Sequence, residues 1–332
     1  MIKTTCLINS FNYKSYVGEA IESVLSQTHP FDEIIVVDDA STDGSDTFLR
    51  SEYGQNPNVR IIIHEKNQGQ LEAITTGFLA STGDLIFFLD ADDIYHSQYL
   101  EIALSIYNDN PVCDFIFCRL GDFQSTKDAY QAPSQDQIYQ YKDYIKDFGY
   151  SVILTAEEHA FVGCPTSGNS IWRKYLDKIL PCRYIGEYRI YADNCVVLGS
   201  SILGARKFYL DIQLVGYRKH GKNETHNIFY LDRFRLYQNA ITTVRLINFL
   251  SQKESLDLTQ ISRFAPYEFK TIDFPTWRLF WTYVKIMLRN PSSVPFSQWQ
   301  FSKLYGIVIM LKHMLIRSKR SNILSNRFQD SK

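Results

Sequence analysis

Short apolar runs alternate with stretches in which apolar residues recur every three or four positions over the first 120 residues. Ile2–Ile8 reads as a buried strand. Val17, Ala20, Ile21, Val24 and Leu25 then fall at helical spacing and predict an amphipathic helix over about 14–28. His29-Pro30 stops it. Ile34–Val37 is apolar on both faces, as a covered parallel strand is. Ser41-Thr42-Asp43-Gly44 turns the chain into a second helix, Val59–Ile63 is the third strand, and Leu71, Ile74, Gly77 and Phe78 mark the next helix. Leu85–Leu89 is the fourth strand, Ser97 the expected cap of a helix over roughly 98–109, and Phe115–Cys118 the fifth strand. Such alternation through short links predicts an α/β fold, a doubly wound, mostly parallel sheet with helices on both faces.

The pattern loosens after that. Gly121–Gln140 reads as a polar surface excursion and Gly163–Ser170 as a loop rich in small polar residues. Residues 191–220 hold one helix and two strands, and Phe229 to about Leu250 is helical. Two parts are expected: residues 1–225 carrying the site, and a helical, basic C-terminal region over 226–332.

Apolar residues at 45% and aromatics at 14% suffice for a core and exclude wholesale disorder. The net charge of −1 argues against a nucleic-acid binder that relies on neutralising phosphates. Yet Lys270–Lys332 holds eleven Lys or Arg against only Asp273 and Asp330, so an acidic body carries a basic tail. Cys6, Cys113, Cys118, Cys164, Cys182 and Cys195 form no C-x-x-C pair and read as buried thiols. No leader-like segment precedes the first strand, and no stretch reaches the 18 or so apolar residues of a membrane span. The expected location is cytoplasmic, with a peripheral contact on the inner face of the cell membrane open to the tail.

In an open parallel sheet, ligands bind beyond the carboxyl ends of the strands. There the sequence places Asn9-Ser10-Phe11-Asn12, Asp38-Asp39 and Asp90-Ala91-Asp92-Asp93. Gathered carboxylates repel one another and raise each other's pKa. A hard divalent cation, Mg²⁺ or Mn²⁺, removes that cost and in turn holds a diphosphate. Each Asp pair by itself also suits a turn or a helix N-terminus; two pairs at equivalent strand ends favour the cation. No G-x-G-x-x-G or G-x-x-x-x-G-K-[ST] phosphate loop competes.

Ser10-Phe11-Asn12, Ser23-Val24-Leu25-Ser26-Gln27, Glu33–Gly44, Asn67-Gln68-Gly69 and Gly83–Asp93 together closely resemble family 2 of the glycosyltransferases, with the GT-A fold. The resemblance is strong over about 3–120 and weak over 160–225. It implies an inverting transfer from a nucleoside-diphosphate sugar, a UDP-sugar favoured, with a divalent cation. On the donor side it implies Asn9, Phe11 stacking on the base, Asp39 bonding the base, Asp90 toward ribose and sugar, and Asp93. Asp92 and His220 would hold the metal, with a basic residue of Tyr217-Arg218-Lys219-His220 meeting the diphosphate. Asp193 matches the second position of the family's acidic pair and would be the base, with Ala192 in place of the first acid and Glu187 as a fallback. Thr166 and Ser167 would face the acceptor.

On the tail, Trp277, Phe280, Trp281, Val284, Met287 and Leu288 fall on one stripe with Arg278, Lys285 and Arg289 around it. Such a helix suits an anionic membrane interface, or packs on the catalytic part or a second subunit. The resulting expectation is a transferase in cell-surface polysaccharide synthesis, with a glycan or lipid-linked acceptor. The alternatives are a non-catalytic sugar-nucleotide or membrane-associated binding protein on the same fold, kept open by Ala192, and a nucleotidyltransferase.

Overall fold

The computed structural model describes residues 2–124, 130–182, 191–220, 233–258, 261–289 and 303–317. The chain opens with β1 (Thr4–Ser10), α1 (Val17–Leu25), β2 (Glu33–Asp38), α2 (Ser45–Tyr53), β3 (Val59–Ile63), α3 (Gln70–Ala80) and β4 (Leu85–Asp90). A two-residue strand, β5 (Ile94–Tyr95), precedes α4 (Tyr99–Asp109) and β6 (Phe115–Gln124). Then follow α5 (Gln135–Tyr139), β7 (Ile145–Gly149), α6 (Val152–Glu158), β8 (Asn169–Trp172), α7 (Arg173–Ile179), α8 (Ala192–Ile202) and β9 (Lys207–Lys219). The C-terminal part is helical: α9 (Arg233–Lys253), α10 (Ala265–Phe269), α11 (Trp277–Arg289) and α12, residues 303–317.

One sheet runs β3-β2-β1-β4-β8-β6-β9-β5, with β7 added on β9. The longer ladders β1–β2, β1–β4, β2–β3 and β6–β9 are parallel, and the short ones through β5, β7 and β8 are antiparallel. Side chains alternate across a strand, which divides the core into two layers. Cys6, Ile8, Ile34, Val36, Phe87 and Leu89 face α1, α2 and α4. Leu7, Ile35, Val37, Ile86 and Phe88 face α3, α7, α8 and α9. The strands are therefore apolar at almost every position, as the sequence pattern requires of a doubly covered sheet.

Four expectations need correction. Ser97 does not cap α4: the residue before it is Gln98, with no side-chain cap. The amide of Leu100 is taken instead by Gln27 Oε1 at 3.0 Å, a longer side chain reaching across from the end of α1. Gly121–Gln124 is no excursion but the end of β6, paired with Gly216–Lys219. The loop at 163–170 runs into a strand, β8, whose Asn169 and Ser170 are too polar to announce it. Finally, the two strands expected within 191–220 are one. The register against β6 jumps from Leu210 to Gln213 to Val215, so a bulge interrupts the pattern without ending the strand.

Candidate active site

β4 delivers the chain into a turn in which the Asp93 amide bonds the Asp90 carbonyl at 3.0 Å. This folds the three carboxylates of Asp90, Asp92 and Asp93 together, with an oxygen from each within 4.8 Å of the others. Asp92 and Asp93 are buried. Burial, with the Asp92 charge beside it, pushes the Asp90 carboxyl up to about 7. Burial and then the Asp92 and Asp90 charges hold Asp93 well above the ordinary carboxylate range. Asn9 Nδ2 donates to Asp90 Oδ1 at 2.9 Å, while Asn9 Oδ1, buried at the same edge, has no partner among the described residues. Three gathered carboxylates beside an amide oxygen with no partner among the described residues make a hard-oxygen donor set, which fits Mg²⁺ or Mn²⁺.

The end of β9 secures this turn from the other side. The Arg218 amide donates to Asp93 Oδ1 at 2.9 Å, and its guanidinium donates to the Asp92 carbonyl at 2.7 Å and to Glu19 at 2.8 Å. The guanidinium lies 4.8 Å from the Tyr16 ring centroid and 4.5 Å from that of Phe123. Arg218 is fully buried and braces the turn. Lys219 is half-exposed and paired with Asp122. His220 Nε2 lies 2.9 Å from Asp92 Oδ2, and its ring is stacked on Tyr16.

Asp38 and Asp39 lie at the same edge but serve nearby backbone. Asp38 accepts from the amide and hydroxyl of Ser41. Asp39 accepts from the amides of Gln68 at 2.8 Å and Gly69 at 2.7 Å and meets His64 Nδ1 at 2.7 Å. From just beyond β2 it thus holds the turn that leads into α3, close to the helix end where the dipole favours a carboxylate. Gly69 allows the close approach at φ +96. Among the described residues, three of the four acceptor positions of the Asp39 carboxylate are used, and one on Oδ2 is left. The cluster is therefore three aspartates, not the five the sequence gathers at this edge. Phe11, beyond β1, is 41% exposed and available for stacking.

Gln70, the first residue of α3, joins the parts. Its Nε2 donates to Asp90 Oδ1 at 2.8 Å and to Thr166 Oγ1 at 3.2 Å, and its Oε1 accepts the Ala192 amide at 3.1 Å. The last bond fixes the start of α8, whose second residue is Asp193. Burial raises the Asp193 carboxyl to about 6, and its charge is felt by Asp90. Tyr191, just before α8, holds φ +65, a conformation costly for a non-glycine residue.

Ser167 bonds the aspartate cluster directly. It is fully buried, donates to Asp93 Oδ2 at 2.6 Å and accepts the Asp90 amide at 3.0 Å. Through these two bonds it holds the turn that carries the cluster. Thr166 is buried against Gln70. Glu187 lies outside the described residues. Sequence reasoning missed Gln70, His64, and the bracing by Arg218 and Ser167. The only available signal for Gln70 was its place directly after Asn67-Gln68-Gly69.

The family model for Glycosyl transferase family 2 matches residues 5–179. An uncharacterised glycosyltransferase of Nostoc is 33% identical over 222 residues, 67% of this chain and 66% of that protein. TuaG of Bacillus subtilis, named for teichuronic acid biosynthesis, is 32% identical over 108 residues, 32% of this chain and 42% of that one. The chain thus spans less than two thirds of the length of either relative. The crystal structure of S. aureus TarS 1–349 in complex with UDP matches with a TM-score of 0.51 at 14% identity, covering 100% of this chain and 92% of that one. That likeness is one of fold, a mixed, mostly parallel sheet of GT-A type.

Proposed function

This chain belongs to family 2 of the glycosyltransferases, and on that premise we propose that it is a metal-dependent, inverting enzyme. It moves a sugar from a nucleoside-diphosphate sugar, a UDP-sugar by preference, to a hydroxyl of a glycan or lipid-linked acceptor in cell-surface polysaccharide synthesis. The observation that carries this reading is the meeting of the Asp90, Asp92 and Asp93 carboxylates at the edge faced by Asp193. The UDP bound to TarS and the name of TuaG support the choice of donor and pathway.

Asp92 and His220, with Asp93 beside them, would hold the cation, and Asp90 and Asn9 would meet ribose and sugar. Phe11 would stack on the base, and the acceptor position left on Asp39 Oδ2 would take a base N–H. When bound, Mn²⁺ or Mg²⁺ supplies positive charge against the departing diphosphate. The acceptor oxygen attacks the anomeric carbon from the face opposite the leaving group, and the bond to the diphosphate oxygen breaks. Asp193 takes the hydroxyl proton. The free nucleoside diphosphate leaves, and the configuration inverts. Ala192 contributes only its backbone amide, given to Gln70.

Asp193→Asn keeps the size of the side chain and removes its basicity. Transfer by this variant is expected to fall by about 100-fold or more, with UDP affinity unchanged. Normal transfer to a competent acceptor would remove Asp193 from the role of base.

A further inference from the structure

The apolar stripe of α11 is divided by the fold. Phe280, Tyr283, Val284, Ile286 and Met287 enter a cluster shared with α6, α10 and α12. Trp277, Trp281 and Leu288 stay outside, 52%, 55% and 51% exposed. Their spacing of four and seven puts them on one line along the helix; Arg278 and Arg289 directly follow Trp277 and Leu288, and Lys285 lies one turn beyond Trp281. α12 runs back antiparallel, with Lys303 Nζ on the Leu288 carbonyl and Arg317 on Asp273. Leu304, Val308, Leu315 and Ile316 are exposed on it, and Lys312 shares a shallow groove with the last three.

Neither helix contains an Asp or Glu. Arg289 is neutralised by Glu158 and Arg317 by Asp273. Among the described residues no ion pair engages Arg278, Lys285 or Lys312, and all three are exposed. No described helix is long and apolar enough to cross a membrane.

We propose that the outer faces of α11 and α12 dock this protein on an anionic lipid bilayer. The indoles and aliphatic side chains enter the headgroup boundary, and Arg278, Lys285 and Lys312 meet lipid phosphates. The charge pattern selects this occupant over a second copy, because a two-fold contact of these faces sets cations against cations with no acid between them. The docking stands independently of the chemistry at the aspartate cluster and would bring that cluster to the surface where a lipid-linked acceptor resides.

The test is sedimentation of the full chain with phosphatidylcholine vesicles, with and without about 30 mol % phosphatidylglycerol. Wild type should sediment with the anionic vesicles only and be released by high salt. Arg278→Glu with Lys285→Glu should weaken binding by about tenfold or more, as should Trp277→Ala with Trp281→Ala. Both variants alter exposed positions, so they should keep the wild-type circular dichroism and UDP affinity. Wild type left in the supernatant of both vesicle types, or variants that sediment like wild type, would overturn the proposal. A tryptophan-dependent dimer without vesicle binding would overturn it as well and assign the face to a second copy.

Discussion

At the scale of single residues, the ionisation of Asp193 sets the direction of a pH dependence. A base accepts a proton only as the carboxylate, and burial raises this carboxyl to about 6. The transfer rate at saturating donor should be full above that value and fall as pH drops through it, with the limb absent in Asp193→Asn. A profile flat down to pH about 4, the ordinary aspartate value, would contradict the assignment. Gln70 makes a second prediction. Its amide holds Asp90, Thr166 and the first amide of α8 at once, so Gln70→Ala should lower kcat by about tenfold through misplacement of Asp193. Gln70→Glu keeps the bond to Ala192 but sets a negative charge against Asp90, and should weaken donor binding too. Equal kcat in all three proteins would show that the bridge is idle.

Among the elements, β9 ties the site together across the longest sequence distance. Its Arg218 side chain spans from Asp92 to Glu19, between the rings of Tyr16 and Phe123. Arg218→Ala leaves Glu19 and the Asp92 carbonyl without their donor and should cost about 3 kcal/mol in chemical denaturation, together with a weaker response to Mn²⁺. An Mn²⁺ response unchanged from wild type would mean that the turn needs no brace. The same element marks the limit of sequence reading. Strands β1 to β4, β6 and the long helices between them were legible, because a sheet covered on both faces writes itself as apolar runs, whereas the two-residue β5 is too short to leave one. The aspartate cluster was legible for a related reason: its three members are neighbours in one turn. β9 reads as two strands because its bulge breaks the alternation, and β8 as loop because Asn169 spends its amide on the carbonyls of Cys164 and Pro165. Gln70, Ser167 and Arg218 stayed hidden because each meets its partners 20 to 199 positions away. No local pattern records such a bond.

Across the whole molecule, α10, α11 and α12 are joined to the sheet-bearing part through α6. Buried Glu268 of α10 accepts the amides of Ile153 and Leu154 and the hydroxyl of Tyr283, and Ile153 and Leu154 share the apolar cluster of α10, α11 and α12. One face of that unit is thereby used for packing and the other left basic and aromatic, while the opposing sign of charge gathers at the sheet edge. The central claim concerns that edge: its carboxylates hold a cation, and the cation holds a pyrophosphate. Calorimetric titration of UDP into the full chain, with Mn²⁺ and then with EDTA, tests it most directly. The account predicts binding in Mn²⁺ that EDTA abolishes and that Asp92→Asn weakens by about tenfold or more. UDP binding of equal strength in EDTA would contradict it.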